Sequence, residues 1–393
     1  MEPLYSAVLL RYGEIAIKSN QTRRRMTSLL VRHLKTAMKE KEISYTKIRN
    51  EYGRIFIETD FPDEVADIAS QTFGIVSTSP VVVTSSDLQE IVDTGFAISE
   101  NEFNRTDTFA VRARRVGSHD YSSQDIREGL GERIFEELKL PVDLKNPGQE
   151  ITVEVRDKKA YLFTKIVEGV GGMPTGTQGK VVCTVSTGLD SPIAAYKVMK
   201  RGVVPVFVYF DNAPHTGEGC TDLAIRQTQV LASYIYNYDV KLYIVPHGLD
   251  LDEVKSHVGE RQICVFCKRN MLRLAREIAI REDADAIVTG EIIGEQASQT
   301  TANLRAISQA VRDFPILRPL AGEDKVDIER LAQKIGTYQF AQEGLSCCTL
   351  APQYPELNAK SEVLEEIESR MNLKIIKHEV DNARVLILKS AKS

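Results

Sequence analysis

The chain has 393 residues, of which 42% are hydrophobic and 27% charged, and its six cysteines all lie at or beyond Cys183. This composition predicts a folded protein with core enough for two or three domains. The sequence has no apolar run of the roughly 18 residues that a membrane span needs. Because it also opens without a secretion signal, we expect a cytoplasmic protein.

Charge is distributed unevenly along the chain. The net charge of -5 excludes a wholly basic nucleic-acid binder, yet residues 1–50 carry 11 Lys and Arg against 4 Asp and Glu. Much of this charge lies on a predicted amphipathic helix at 21–41, which includes Arg23, Arg24 and Arg25. The helix is either a phosphate-binding face or a solvated surface.

Two small α+β modules are predicted before residue 168. Residues 1–60 form the first, with a strand at 4–11, the basic helix and a strand pair at 43–58. Residues 61–167 form the second, in which helices and strands alternate. Its strand at 108–116 carries Arg112, Arg114 and Arg115. These guanidinium groups either bind phosphates or form surface salt bridges.

A glycine-rich linker at 168–180 separates these modules from a different pattern. From 181 to 350 short apolar strands alternate with helices, which predicts a doubly wound parallel sheet of the α/β class. Strands are expected at 181–185, 203–210, 241–245 and 286–289, and helices at 192–200, 221–237 and 268–282. Residues 351–393 are expected to form a C-terminal extension.

The stretch from Ser186 to Ser191 is the first candidate site. It follows a β-branched strand and precedes a helix with Pro192 near its first position. The free N–H groups and the dipole of a helix N-terminus attract anions, so the loop predicts a phosphate or pyrophosphate cradle. Tyr209-Phe210 and Gly290-Glu291 end other predicted strands, and ligands of parallel sheets bind at such ends.

The cysteines form the second candidate site. Cys264 and Cys267 make a CxxC pair, and Cys347-Cys348 follows about eighty residues later. This set suits zinc, an iron–sulfur cluster or a redox pair, with buried structural thiols as the alternative. Zinc is the weaker option, because adjacent residues rarely converge on one ion. Cys183 and Cys220 are expected to be structural.

The loop lacks the Lys-Ser/Thr ending of a Walker A loop. It resembles instead the pyrophosphate loop (PP-loop) of the N-type ATP pyrophosphatases, usually Ser-Gly-Gly-x-Asp-Ser. That family cleaves ATP between the α and β phosphates and transfers AMP to an oxygen. Thr187 departs from the pattern, because a glycine usually stands there and a threonine crowds a turn that often needs glycine.

The whole chain is similar to the archaeal type of tRNA 4-thiouridine synthetase, which has no rhodanese domain. Residues 9–18 resemble its ferredoxin-like domain, and residues 109–115, 142–147 and 151–155 resemble its RNA-binding THUMP domain. Residues 268–271, 288–291, 296–300, 303–304 and 317–320 match the ATP-domain motifs in order and at similar spacing.

This resemblance implies an ATP site with Mg²⁺. Its cofactor-binding residues would be Thr184, Val185, Ser186, Gly188, Ser191, Tyr209, Phe210, Lys268, Gly290 and Gln299. Asp190 would orient the loop or metal-bound phosphates, and Lys268 would balance phosphate charge. Both are expected to be catalytic, together with Cys347, which would carry sulfur.

The implied reaction adenylates O4 of a tRNA uridine, the one at position eight, and a sulfur nucleophile then displaces AMP. Cys264, Cys267 and Cys347 would hold an iron–sulfur cluster, with Cys348 as a substitute ligand, or a cysteine persulfide would carry the sulfur. The arginines of both modules would grip the acceptor region of tRNA. Sulfide or a cysteine desulfurase would supply sulfur, and a homodimer would let one RNA module serve the partner's active site.

Two other functions remain open at this point. A related adenylating enzyme would act on another tRNA base or on a small amide. A catalytically silent RNA-binding protein would keep the fold but not use ATP, because of Thr187. The resemblance also leaves open a part in thiamine thiazole synthesis.

Overall fold

The computed structural model describes residues 5–51, 53–345 and 348–389. The chain divides into two compact units, Met1–Met173 and Pro174–Ser393. Within the described ranges, no helix has both the length and the apolar character to cross a membrane. The change of unit falls inside the predicted linker.

The described residues of the N-terminal unit form one continuous sheet of eight strands flanked by four α-helices. Its strand order is β2-β3-β1-β4-β7-β6-β5, and β8 also pairs with β4. The elements are β1 (Ala7–Tyr12), α1 (Asn20–Glu40), β2 (Lys47–Glu51), β3 (Arg54–Glu58), α2 (Pro62–Ser70), β4 (Ile75–Ser85), α3 (Leu88–Glu102), β5 (Phe109–Val116), α4 (Ser123–Leu138), β6 (Gln149–Arg156), β7 (Lys159–Phe163) and β8 (Val167–Glu168).

Strand β4 belongs to both predicted modules. Its first half pairs with β1 and its second half with β7, so the predicted division at residue 60 does not match the strand pairing. Helix α2 and β4 lie after residue 60 but pack with β1. The rings of Phe56 and Tyr161, from different halves of the sheet, stack with centroids 4.4 Å apart. The two modules therefore share an aromatic core.

The helices of this unit follow their amphipathic pattern. Helix α1 buries Met26, Leu30 and Leu34 at helical spacing, as the sequence predicts. Its N-cap is Ser19, whose hydroxyl accepts a hydrogen bond from the N–H of Thr22. For α4, the cap lies one residue before the predicted Ser123: Ser122 forms a capping box with Asp125.

The C-terminal unit holds the predicted parallel sheet. Its order is β13-β12-β9-β10-β11-β14, parallel throughout except that β14 is antiparallel to β11. The elements are β9 (Lys180–Val185), α5 (Asp190–Met199), β10 (Val204–Asp211), α6 (Cys220–Ala232), β11 (Val240–Pro246), α7 (Gly248–His257), α8 (Ile263–Arg281), β12 (Ala286–Val288), α9 (Thr301–Ser308), β13 (Ile316–Leu317), α10 (Lys325–Ile335), α11 (Tyr338–Ala341), α12 (Ser361–Glu368), α13 (Lys374–Asp381) and β14 (Arg384–Lys389). Strand β10 is buried along nearly its whole length, which is typical of a strand with both faces covered.

The residues predicted as a C-terminal extension are part of this sheet and its helical layer. Strand β14 pairs with β11, and α13 packs on α8 and α7. Glu368 at the end of α12 forms buried ion pairs with Arg269 and Arg273 of α8. The segment thus packs against α8, the helix whose first turn carries the CxxC pair, and stabilises its position in the C-terminal unit.

Candidate active site

The carboxyl ends of β9, β10 and β12 open into a cavity of about 410 Å³. Parallel sheets bind ligands at this edge. The residues predicted from the sequence to bind ATP all line it: Thr184, Val185, Ser186, Gly188, Asp190, Ser191, Tyr209, Phe210, Lys268, Gly290 and Gln299. Residues that the sequence did not single out as ligands also line it, among them Asn212, Met271, Leu272, Thr289 and Gln296.

The loop at the start of α5 is held by its own serines. Ser191 Oγ accepts a hydrogen bond from the N–H of Ser186 at 2.7 Å and lies 2.9 Å from Ser186 Oγ. The N–H of Gly188 donates to Ser186 Oγ at 3.2 Å. Thr187 is not among the residues with positive φ. Its φ therefore does not require glycine.

Gly290 allows the loop and β12 to approach each other. A Cβ atom there would lie 2.7 Å from both the N and Cα atoms of Ser191 and 3.0 Å from the carbonyl carbon of Asp190. The backbone that lies this close to Gly290 is that of the loop. Glycine here therefore fixes where the N-terminus of α5 points into the cavity.

Asp190 forms an ion pair that the sequence did not predict. Lys325 Nζ lies 2.6 Å from Asp190 Oδ1 and 2.6 Å from Glu295 Oε1. Burial raises the pKa of Asp190, which Lys325 partly offsets. Burial lowers the pKa of Lys325, but hydrogen bonds to the two carboxylates outweigh it, so its pKa lies above the ordinary value. One cation thus bridges two carboxylates at the mouth of the loop.

Lys268 is held on the opposite wall by Glu291. Its Nζ lies 3.9 Å from Glu291 Oε1, while Glu291 Oε2 accepts hydrogen bonds from Thr289 Oγ1 at 2.8 Å and Arg318 Nε at 2.7 Å. The side-chain oxygen of Gln299 accepts from the N–H of Ile292 at 3.2 Å. Glu291 is already neutralised by Arg318, so Lys268 keeps a positive charge available to a ligand.

The cysteines lie beside this cavity. Cys264 and Cys267 occupy the first turn of α8, both half-buried, and Cys348 lines the cavity. Burial raises the pKa of Cys264 to about 11, and the neighbouring Cys267 and Cys348 add to that shift. Three sulfur atoms are therefore close to the predicted nucleotide site. The predicted sulfur carrier Cys347 lies outside the described residues.

In the described part of the chain, no three His, Cys, Asp or Glu side chains are grouped to hold a metal ion. The CxxC pair supplies two thiols from one helical turn, which suits an iron–sulfur cluster only with a third ligand from elsewhere. Cys183 is fully buried, and burial raises its pKa, as expected for a structural thiol. Cys220, predicted in a loop, begins α6.

His247 is a buried histidine that contacts this cysteine pair. It is 0% exposed at the end of β11, and its Nε2 lies 3.6 Å from Cys267 Sγ. Burial lowers the pKa of His247, but its hydrogen bonds to Cys267 and Glu379 outweigh burial, so its pKa lies well above the ordinary value. No local sequence pattern indicates this contact, because His247 has no ligand spacing to any cysteine.

Comparisons with known proteins identify the family of the chain. A model described as thiamine biosynthesis protein (ThiI) matches residues 176–373, a THUMP domain model matches 85–165, and a ThiI ferredoxin-like domain model matches 7–79. A probable tRNA sulfurtransferase of Methanothermobacter thermautotrophicus is 39% identical over 94% of this chain and 95% of its own. The chain belongs to the tRNA sulfurtransferase family.

Other members of the tRNA sulfurtransferase family extend the match to the whole chain. A probable tRNA sulfurtransferase of Methanosarcina mazei is 38% identical over 98% of this chain and 96% of its own. A solved 4-thiouridine synthetase, crystallised in a complex with RNA and ATP, superposes with a TM-score of 0.86. It is 30% identical and covers 98% of this chain and 100% of its own. The ferredoxin-like domain model ends at residue 79 and the THUMP model begins at 85, so their boundary falls inside β4, the strand that pairs with both β1 and β7.

The arginines expected to bind RNA in this tRNA sulfurtransferase family member fall into two groups. Some already have partners: Arg23 bonds to Ala16 O and Asn20, Arg112 to Glu150 and Leu144 O, and Arg115 to Gly117 O and His119. The others, Arg24, Arg25 and Arg114, are exposed. The exposed group is the better candidate for phosphates, because an arginine that is already paired carries less free charge.

Proposed function

We propose that this chain is an ATP-dependent tRNA sulfurtransferase that converts the uridine at position eight of tRNA into 4-thiouridine. The observation that supports this most is the placement of three cysteines beside a cavity lined by all the predicted ATP-binding residues. Activation by ATP and sulfur delivery then take place on one edge of one sheet. The full-length match to the 4-thiouridine synthetase supports the same reaction.

In the first step, O4 of uracil attacks the α-phosphorus of ATP, and the bond to the β-phosphate oxygen breaks. Pyrophosphate leaves into the loop at Ser186–Ser191, where N–H groups and the α5 dipole stabilise its charge. Lys268 stabilises the growing negative charge from the opposite wall. The step makes O4 part of a good leaving group, AMP.

Mg²⁺ fits the carboxylates at the mouth of the loop. Asp190 and Glu295 offer hard oxygen donors of the kind that magnesium prefers. When bound, Mg²⁺ neutralises the triphosphate. Lys325 already contacts both carboxylates at 2.6 Å and holds them together. We propose that Lys325 orients Asp190 toward the phosphates, a role that no local sequence motif indicated.

In the second step, a sulfur nucleophile attacks C4 of the activated uracil, the C4–O4 bond breaks, and AMP leaves. We propose Cys264, Cys267 and Cys347 as the residues that handle this sulfur. They would act as ligands of an iron–sulfur cluster, which would supply sulfide as the nucleophile. Alternatively, Cys347 would receive persulfide sulfur from a cysteine desulfurase, and a second cysteine thiolate would cleave the S–S bond after the attack on C4, which leaves a disulfide. Cys348 remains the substitute, because it lines the ATP cavity.

The remaining partners follow from this reaction. We propose that the acceptor region of tRNA binds the N-terminal unit through Arg24, Arg25 and Arg114, with the paired arginines in support. Sulfide or a cysteine desulfurase would supply the sulfur, the enzyme would act in the cytoplasm, and a homodimer would be its working assembly. Light scattering of the protein with and without tRNA measures the assembly directly.

Nucleoside analysis tests the proposed function. Unmodified tRNA is incubated without oxygen with the protein, ATP, Mg²⁺ and sulfide, then digested and analysed for 4-thiouridine, while pyrophosphate release is measured in parallel. We expect 4-thiouridine with the wild-type chain and with Asp252→Asn, an exposed acidic control, and none with Asp190→Asn. Pyrophosphate release without 4-thiouridine would favour an enzyme for another base. No pyrophosphate with any RNA would favour a silent RNA-binding protein.

A further inference from the structure

His247 is enclosed by groups from four structural elements, and no step of the proposed reaction uses it. Its ring centroid is 5.7 Å from that of Phe210 on β10. Cys267 of α8 faces one ring nitrogen, and Asp250 of α7 and Glu379 of α13 face the other. A histidine buried this completely, between carboxylates and a sulfur, is not explained by packing alone.

The two ring nitrogens have distinct partners. Nε2 lies 3.6 Å from Cys267 Sγ, whereas Nδ1 lies 3.4 Å from Glu379 Oε2 and 3.5 Å from Asp250 Oδ2. A ring flip would place carbon atoms against both the carboxylates and the sulfur. The partners on Nδ1 therefore fix the orientation that aims Nε2 at Cys267.

The carboxylates are themselves held in place. Glu379 Oε1 accepts a hydrogen bond from the N–H of Asp250 at 2.9 Å, and Asp250 Oδ1 accepts one from Asn270 Nδ2 at 2.7 Å. Asn270 lies on α8, one turn after Cys267. The contacts form a closed loop from Cys267 through His247, Glu379 and Asp250 back to α8, so no side chain in it is free to turn alone.

We propose that His247 is a positioning residue for sulfur transfer, which hydrogen-bonds to the sulfur of Cys267 and sets its direction and reactivity. Glu379 positions His247 in turn, which gives the C-terminal segment a part in the chemistry. The sulfur-transfer role rests on the proposed function, whereas the contact with Cys267 does not. Cys348, which lines the ATP cavity, interacts electrostatically with both Cys267 and His247, so the positioned sulfur lies close to a residue of that cavity.

The imidazole restrains the direction of Cys267 Sγ, because Nε2 lies 3.6 Å from it and the carboxylates at Nδ1 hold the ring in place. Removing the imidazole should therefore slow reactions at Cys267 and leave those at Cys264 unchanged. A purely structural role would instead alter both cysteines, or neither. The reactivity of one cysteine relative to the other thus separates the two interpretations.

The test measures alkylation of the reduced protein by iodoacetamide, with the modified cysteine located by fragment masses of the peptide at 262–268. We expect His247→Leu to slow alkylation of Cys267 by about tenfold and that of Cys264 by less than about twofold. His247→Gln, whose amide also reaches the sulfur, should restore part of the rate. Glu379→Gln keeps the acceptor for Asp250 N–H but not the carboxylate, and should give an intermediate loss. His257→Gln is the matched control at the end of α7.

The same variants are then assayed for pyrophosphate release and 4-thiouridine. We expect His247→Leu and Glu379→Gln to release pyrophosphate at nearly the wild-type rate and to form 4-thiouridine about tenfold more slowly. Unchanged Cys267 alkylation in both folded variants would overturn the proposal, as would equal losses in the two half-reactions. If the wild-type chain forms no 4-thiouridine, the proposed function fails, but the alkylation rates still decide whether His247 acts on Cys267.

Discussion

Gly290→Ala should disable the ATP site by moving the loop, without removing any side chain that contacts ATP. The added Cβ would lie 2.7 Å from the N and Cα atoms of Ser191, where ordinary contacts begin at 3.4 Å. Because the clash is with backbone, the loop or the end of β12 must move by at least 0.3 Å, and by 0.7 Å to restore an ordinary contact. The free energy of unfolding should fall by about 1–3 kcal/mol, as for other overpacked sites.

The larger effect should be on catalysis. A displacement of about 1 Å in a positioned group costs about a hundredfold in rate, or about 2.7 kcal/mol of transition-state stabilisation. We therefore expect Gly290→Ala to release pyrophosphate about a hundredfold more slowly with ATP and tRNA. Circular dichroism should show that the variant stays folded at assay temperature.

Gly188→Ala is the matched control in the same loop. Its Cβ would meet only Ser186 Oγ, at 3.5 Å, which is an ordinary contact, and its φ is not positive. We expect at most about a threefold loss of rate, since nothing has to move. The reasoning is refuted if Gly290→Ala works within threefold of wild type, or if Gly188→Ala is the more damaging of the two.

Three further predictions concern charged groups. Lys325→Ala should slow pyrophosphate release by at least about tenfold, because two carboxylates lose their shared cation. Arg330→Ala, on the same helix, should leave the rate unchanged. The pyrophosphate assay measures both variants. Arg114→Ala should weaken tRNA binding and reduce the slope of log K against log salt by about one. A filter-binding salt titration measures both. Arg112→Ala should weaken binding less, because Glu150 already neutralises Arg112. Burial, helped by Arg32, lowers the pKa of His33 to about 4 from 6.5. As the pH falls, His33 therefore becomes protonated in the unfolded chain before it does in the folded protein. Its contribution to the free energy of unfolding is complete above pH 6.5, and it falls by up to about 3 kcal/mol as the pH drops to 4. Urea unfolding at pH 7 and pH 5 should show a smaller loss of stability in His33→Gln than in wild type.

A different result would contradict each of these three predictions. A fully active Lys325→Ala would show that the ion pair with Asp190 is not needed for catalysis. Equal binding losses in the two arginine variants would show that pairing does not govern which arginine meets RNA. A wild-type stability that is level between pH 7 and pH 5 would mean that His33 is not kept neutral by the fold.

The ATP cavity was predictable because its signals are local. A strand, a polar turn and a helix start lie within 20 residues around Ser186–Ser191, and parallel strand ends meet by topology. Lys325 was missed because it reaches Asp190 across 135 positions and forms no motif with it. His247 and Glu379 are 132 positions apart and were missed for the same reason.

The division of the N-terminal unit was also beyond local reasoning. The pattern of α2 and β4 is compatible with either module, and only pairing of β4 with β1 on one edge and β7 on the other decides it. Residue periodicity shows which face of a strand is buried, but it does not show which distant strand pairs with each edge of β4. At Thr187 the motif usually has glycine, but the backbone there does not adopt the positive φ that requires one.

The pairing of β14 with β11 has a consequence for synthesis of the chain. The N-terminal unit contains all of its own strands by residue 173, so it can fold while translation continues. The sheet of the C-terminal unit cannot be completed until residues 384–389 have left the ribosome, because β11 pairs with β14, which follows it in the chain after about 140 positions. Until then β11 is an edge strand with unpaired backbone N–H and C=O groups. A chaperone or a neighbouring nascent chain can pair with those groups.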